Sequence, residues 1–150
     1  MDWRPPGRRP LAVALVAYSA VLAVILLAPT SDTQSHAASW VGDLATWLGA
    51  PERWVRQPRV EFLCNALILM PVSALGSLVW PRTTWREWTS YAFVIAFAVE
   101  LVQGVLLPDR TASFADVVAN TLGGFGGAVA AALLRAVAAR RVRSASDVRQ

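Results

Sequence analysis

Several polar side chains lie inside long apolar stretches of this sequence, at spacings that place them on shared helix faces. Glu100 and Gln103 are three residues apart, and Asp116 and Asn120 are four residues apart, so each pair projects from one face of a helix. Asn65 lies in an earlier apolar stretch. Two carboxylates in such a setting can act as general acid and base, carry protons, or bind the polar part of an amphiphile.

Arg110 is the only cation close enough in sequence to partner either carboxylate, because it lies in the short link between them. A guanidinium can bind a carboxylate through two parallel hydrogen bonds. We therefore predict an ion pair of Arg110 with Glu100 or Asp116. The candidate binding residues, called the polar cluster below, are Asn65, Glu100, Gln103, Arg110, Asp116 and Asn120.

Most of these polar residues also have an alternative, structural role. Glu61 begins its apolar stretch, which favours a helix cap or an interfacial position over a place in the site. Asp116 could equally cap its helix with Arg110 as a surface partner, and Asn65 could equally hold two helices together. Glu100 lies well inside an apolar run, so we expect it to belong to a site or to an essential ion pair.

Residues that usually activate a nucleophile or bind a metal are scarce. Cys64 is the only cysteine and His36 is the only histidine, which argues against the usual zinc sites, and we predict no cofactor. Ser113 and Thr111 are the hydroxyls nearest to the carboxylates, and no histidine accompanies them. A catalytic role for the carboxylates therefore lacks an evident nucleophile.

Four apolar segments must position these side chains. They cover residues 11–28, 60–80, 88–107 and 114–139, and about 20 helical residues cross a bilayer core of about 30 Å. The first segment is longer than the apolar region of a signal peptide, about 7–15 residues, which favours a retained helix. We predict an all-α membrane bundle of about four transmembrane helices, forming a single domain over residues 1–150.

The connection between the first two segments contains an amphipathic stretch. Trp40, Leu44, Trp47 and Leu48 fall on one face of a helix by the spacing of a helical period. The stretch is too short to span a bilayer, so we predict an amphipathic helix that lies in the membrane interface. A helix that caps the bundle is an equal alternative.

The distribution of arginine predicts the orientation in the membrane. All 14 basic residues are arginine, and they lie at the ends of apolar segments, which indicates topology and lipid contacts rather than nucleic acid. An N-terminus in the cytoplasm leaves four of them on the outer side: Arg53, Arg56, Arg59 and Arg110. The other ten lie on the inner side, so both termini are predicted to be cytoplasmic and the polar cluster to lie in the outer leaflet.

The fourth spanning segment carries a signal for close packing, and the second carries a signal for a kink. Gly123 and Gly127 form a GxxxG spacing that lets another helix approach closely, which we expect to be the second or third spanning helix. This contact would bring the polar cluster together. Pro71 lies within the second segment and is expected to kink it.

Taken in order, these residues resemble the VanZ-like family of small bacterial integral membrane proteins. Asn65 and Pro71 come first, followed by E-x-x-Q, a short link and D-x-x-x-N-x-x-G-x-x-x-G. The resemblance covers about residues 60–139. Leu69 stands where the family often has an aromatic residue, and Ser73 replaces a common glycine; both changes affect packing and leave the polar residues in place.

The resemblance implies a role at the cell envelope, because the family takes its name from a member associated with resistance to the glycopeptide teicoplanin. The leading hypothesis is an envelope protein whose polar cluster binds an amphiphile in the outer leaflet, such as a lipid-linked cell-wall precursor or a lipid-bearing glycopeptide. The alternatives are an intramembrane enzyme acting on a lipid-linked envelope substrate through Glu100 and Asp116, and proton-coupled transport. We expect membrane lipids, and no nucleic acid, as partners.

Overall fold

The computed structural model describes residues 7–28, 32–107 and 112–147. This part of the chain contains five α-helices and no strand. The helices are α1 (Arg8–Leu26), α2 (Asp32–Trp47), α3 (Gln57–Val79), α4 (Trp85–Leu106) and α5 (Phe114–Asp147). By length and composition, α1, α3, α4 and the first 28 residues of α5 can each cross a membrane. The predicted all-α bundle with about four transmembrane helices is confirmed.

Three of the spanning helices, α1, α3 and α4, begin before their apolar segments, and the starts of α3 and α4 have local causes. α3 begins at Gln57 with Pro58 in its first turn, where the missing backbone N–H has no helical partner to lose. α4 begins at Trp85 because Thr84 and Glu87 form a capping box. The carboxylate of Glu87 accepts a hydrogen bond of 2.7 Å from the backbone N–H of Thr84, which fixes the first turn.

α5 has the most extensive packing in the bundle, against α3 first and against α4 second. The contact with α3 depends on glycine. A Cβ atom at Gly123 would overlap the carbonyl oxygen of Ala66, and one at Gly127 would overlap the carbonyl oxygen of Met70. The GxxxG spacing therefore allows the backbones of α5 and α3 to touch, which is the close approach that the sequence predicts.

α1 packs against α3, and a hydrogen bond connects the two helices. The hydroxyl of Tyr18 donates a hydrogen bond of 2.8 Å to the carbonyl oxygen of Ile68. Leu22 joins Leu69 and Ala92 in a buried apolar cluster that links α1, α3 and α4. Leu69, where the resemblance leads one to expect an aromatic residue, thus fills this core.

α2 forms where the amphipathic pattern predicts a helix, and it contacts α3. Ala38 is buried, with an exposed fraction of 2%. The predicted apolar face is uncovered by the rest of the described chain: the exposed fractions of its side chains lie between 54% and 80% for Trp40, Leu44, Trp47 and Leu48. An interfacial position for this face, rather than a role as a cap of the bundle, stays a prediction that this exposure supports.

Polar contacts also occur at the far end of α3, which the sequence analysis did not single out. Arg135 of α5 donates a hydrogen bond to the carbonyl oxygen of Ser77. That carbonyl lies four residues before Pro81, which has no N–H to continue the helix. Ser73 is buried as well, close to Gly124. The serine that replaces the family's glycine therefore faces a glycine on the neighbouring helix.

Candidate functional site

Interhelical polar contacts gather at one end of the bundle, where α1 and α4 end and α3 and α5 begin; we call it the polar end. Spanning helices that follow one another in sequence are antiparallel, so α3 and α5 run in the same direction. Asn65 near the start of α3 and Glu100 near the end of α4 therefore lie near the first turn of α5. The contacts of each predicted residue there define the candidate site.

Asp116 lies in the first turn of α5 and binds α3 directly. The side-chain amide of Asn65 donates a hydrogen bond of 2.6 Å to Asp116 Oδ1. Both residues are partly buried. A charge-assisted contact of this kind is stronger than one between neutral groups, so it stabilises the packing of α3 against α5 at the polar end.

Glu100 is buried in α4, with an exposed fraction of 8%, and it reaches the residue that precedes α5. Its Oε2 accepts a hydrogen bond of 2.7 Å from the backbone N–H of Ser113. The carbonyl oxygen of Ser113 accepts from the N–H groups of Asp116 and Val117. Ser113 is therefore the N-cap residue of α5, and the Glu100 carboxylate binds its backbone N–H.

At the start of α5, the contacts of a capping box are shared among side chains of α3, α4 and α5. In a capping box, the acidic residue in the first turn accepts from the backbone N–H of the residue before the helix. Here Glu100 of α4 takes that N–H at Ser113, and Asp116 instead binds Asn65 of α3. Both carboxylates lie at the positive end of the α5 dipole, where negative charge is stabilised.

Gln103 is buried but binds a different helix from the rest of the polar cluster. Its side-chain amide donates a hydrogen bond of 2.7 Å to the carbonyl oxygen of Leu26, the last residue of α1. The final carbonyls of a helix have no partner within the helix, so this bond stabilises the end of α1. The structure therefore gives Gln103 a role in packing α1.

Asn120 lies one turn after Asp116 on α5 and is buried, with an exposed fraction of 8%. Its Oδ1 atom is fully buried, and no hydrogen-bond partner for it occurs in the part of the chain that the structure describes.

Two further residues from the sequence prediction remain. Arg110, the sixth residue of the polar cluster, lies outside the described residues. Glu61 is bound by its neighbour Gln57 at 3.1 Å on the exposed start of α3, in line with an interfacial role.

A partly open pocket of about 180 Å³ adjoins Glu100 between α4 and the start of α5. Glu100 and Ser113 are its polar wall residues. The remaining wall is apolar and consists of Phe97, Leu101, Ala112, Phe114 and Val117. A cavity of this kind suits a ligand with an apolar part and a small polar part.

Residues that commonly bind metal ions do not form a cluster in the described part of the chain. Over residues 7–28, 32–107 and 112–147, no three His, Cys, Asp or Glu side chains come together in a geometry that could hold a metal ion.

Comparison with protein-family models identifies the family of this chain. The VanZ/LLP1 family model matches residues 15–135. This chain belongs to the VanZ/LLP1 family. The match extends the resemblance, which the sequence motifs limited to about residues 60–139, back through α2 into α1. No curated protein and no solved structure matches the chain.

Family membership and four membrane-crossing helices together make this VanZ/LLP1 protein a multi-pass membrane protein.

Some contacts of the site could not be predicted from the sequence because they use backbone groups. The N–H of Ser113 and the carbonyl of Leu26 carry no side-chain signal. The S-x-x-D spacing of Ser113 and Asp116 is a capping signal that could have placed the start of α5.

Proposed function

We propose that this VanZ/LLP1 protein binds an amphiphile of the cell envelope at the polar end of its bundle. The observation that carries the proposal is the pocket between α4 and α5, in which Glu100 adjoins exposed apolar side chains. Three apolar wall residues have exposed fractions of 52%, 56% and 76%: Phe97, Leu101 and Phe114. These exposed apolar side chains suit contact with the acyl chains of the bilayer.

The two kinds of wall match the two parts of an amphiphile. An acyl chain can lie along Phe97 and Leu101 without leaving the apolar phase, while its polar group contacts Glu100 and Ser113. A polar group in the membrane is stabilised by such contacts because water is absent there. Arg110, which the sequence places beside both carboxylates, would add a cation for an anionic headgroup.

The ligand class follows from the leaflet and from the family. The arginine distribution favours cytoplasmic termini, which puts the polar end in the outer leaflet of the cell membrane. The family's association with teicoplanin resistance suggests a lipid-bearing glycopeptide or a lipid-linked cell-wall precursor as the amphiphile. The protein would then act by retaining this molecule, and we expect the retention to change susceptibility to such drugs.

The binding test compares two variants on the same lipid-facing side of α4. Leu101 lines the pocket, and Val105, one turn further on, is exposed without lining it. In purified protein, Leu101→Trp should lower binding of a fluorescent lipid-bearing glycopeptide, and Val105→Trp should not. The same glycopeptide without its acyl chain should bind weakly to all three proteins. Equal binding by wild type and Leu101→Trp would refute the pocket as the binding site.

The corresponding experiment in cells uses Glu100→Gln at matched membrane levels. Glutamine keeps a hydrogen-bond acceptor for Ser113 and removes the negative charge. Wild-type protein should shift susceptibility to lipid-bearing glycopeptides, and the variant should shift it less. Identical shifts would make the Glu100 charge irrelevant to the function.

A further inference from the structure

The guanidinium of Arg135 is a charged group within the part of α5 that can cross a membrane, Phe114–Arg141. It donates a hydrogen bond to the carbonyl oxygen of Ser77, near the end of α3. A guanidinium has five N–H donors, and among the described residues Arg135 has no other hydrogen bond or ion pair. Its remaining donors need acceptors, which the apolar phase of a bilayer does not supply.

Arg135 lies at the boundary of the membrane, where such acceptors are present. The distance along α5 from Phe114 to Arg135 is about 31 Å at the rise of an α-helix, close to the thickness of a hydrocarbon core, about 30 Å. The side chain of Arg135 is partly exposed, and the nearby Leu134 and Val137 have exposed fractions of 63% and 49%. A ligand can therefore reach the guanidinium, and its apolar part can contact these two side chains.

This end of the bundle also carries an excess of positive charge. Arg82 belongs to the link between α3 and α4, and it follows the helix end to which Arg135 binds. The carboxylate of Glu87 accepts hydrogen bonds from the backbone N–H and the hydroxyl of Thr84, so it belongs to the cap of α4. The exposed arginines at this end are Arg82, Arg86, Arg140 and Arg141. Such a concentration of one sign of charge attracts anions.

We propose that Arg135 and Arg82 bind the phosphate group of an anionic phospholipid in the leaflet at this end, which is the cytoplasmic leaflet in the predicted orientation. Arg135 supplies a guanidinium that the bond to Ser77 positions, and its paired N–H donors match the oxygens of a phosphate. The exposed apolar side chains beside it favour a phosphate that carries acyl chains over a free one. A zwitterionic choline headgroup would bring a positive charge close to the arginines, which disfavours it.

The site lies at the opposite end of the bundle from the pocket beside Glu100, so this inference does not depend on the proposed function. The test compares phosphatidylglycerol with phosphatidylcholine of identical acyl chains. Purified protein is equilibrated with equimolar mixtures of the two lipids in detergent, and retained lipids are counted by native mass spectrometry. Wild type should prefer phosphatidylglycerol by about ten-fold, the effect of one hydrogen bond to a charged group. Glycerol phosphate, an anionic phosphate without acyl chains, should not displace the retained phosphatidylglycerol at equal concentration.

Three variants locate the preference in the structure. Arg135→Gln removes the charge from the membrane boundary and should abolish the preference. Arg82→Gln, in the exposed link, should lower the preference by about three-fold, as expected for a solvent-exposed ionic contact. Arg53→Gln is the matched control, because it makes the same change in net charge at an exposed residue near the polar end, and it should keep the preference. If Arg135→Gln does not fold, the wild-type comparison and Arg82→Gln still test the inference.

Four outcomes would overturn the inference. A wild type that retains the two lipids equally would show that no anionic lipid is selected. A folded Arg135→Gln protein, or an Arg82→Gln protein, that keeps the full preference would place the selection elsewhere. An equal loss in Arg53→Gln would assign the preference to net charge rather than to this site. Displacement of phosphatidylglycerol by glycerol phosphate would identify a site for free anions instead of a lipid site.

Discussion

Glu100 and Asp116 hold the first turn of α5 from two directions. Glu100 binds the backbone N–H of Ser113 from α4, and Asp116 receives the amide of Asn65 from α3. Each contact satisfies a polar group that lipid would leave without a partner. The two carboxylates are therefore structural as well as candidate ligand-binding groups, and a variant that tests function must preserve the first turn of α5.

Replacement of Glu100 by leucine should destabilise the protein much more than replacement by glutamine. Leucine leaves the partly buried N–H of Ser113 without its acceptor, and loss of such a bond costs about 1–3 kcal/mol. Glutamine can still accept that bond through its side-chain oxygen. Reversible unfolding in mixed detergent micelles measures both free energies. Equal losses for the two variants would mean that the charge of Glu100, rather than its bond to Ser113, stabilises the fold.

The interior position of Glu100 could be predicted at the residue scale, whereas its partner could not. A carboxylate deep in an apolar run must face other helices, because lipid excludes it. Its contact with a backbone N–H thirteen residues away depends on how the α4–α5 link turns. Gln103 shows the same limit, since its acceptor at Leu26 is 77 residues away in sequence and is a backbone atom.

At the scale of elements, the contact between α3 and α5 positions the polar end. Gly123 and Gly127 bring the α5 backbone against the carbonyls of Ala66 and Met70, and the Asn65–Asp116 bond lies at the same contact. The glycines set the separation of the two helices. The length of the bond between Asn65 and Asp116 depends on that separation.

Gly123→Ala should destabilise the bundle and loosen the polar end, whereas Gly126→Ala should be tolerated. A methyl group at position 123 meets the backbone of α3, which cannot move alone, while at position 126 it meets the flexible end of Met70 at 3.2 Å. Overpacking of this kind costs about 1–3 kcal/mol. Thermal unfolding in detergent checks the order. A Gly126→Ala protein as unstable as Gly123→Ala would show that helix flexibility, rather than close contact, is what these glycines provide.

Long apolar segments predicted the helices well, because lipid imposes the requirement that backbone polar groups bond within each helix. The starts of α3 and α4 were less predictable, since they depend on Pro58 and on the capping pair Thr84 and Glu87, which lie outside the apolar segments. α5 also continues past its apolar segment, to Asp147. Local polar signals, rather than hydropathy, mark the starts of α3 and α4.

At the scale of the whole molecule, the apolar surface and the tryptophans indicate how the protein lies in the membrane. The spanning helices expose large apolar side chains along their length, as on α4 with Phe93 and Phe97. Trp40 and Trp47 of α2 are exposed at the polar end, and Trp80 and Trp85 lie near the opposite end. Tryptophan is enriched at both membrane interfaces, so these residues are consistent with the two boundaries of one bilayer.

The orientation decides which leaflet supplies the ligand, and it is predicted from the arginines. Arg82, Arg86, Arg140 and Arg141 lie at the end opposite to the polar end, and a preference of positive charge for the cytoplasm puts the polar end outside. In a Cys64→Ala background, a cysteine at exposed Pro51, between α2 and α3, should react with a membrane-impermeant maleimide on intact cells. A cysteine at exposed Ser144, near the end of α5, should react only after the membrane is opened. The reverse pattern would move the pocket to the inner leaflet and remove lipid-bearing glycopeptides from the candidate ligands, because those molecules reach the cell from outside.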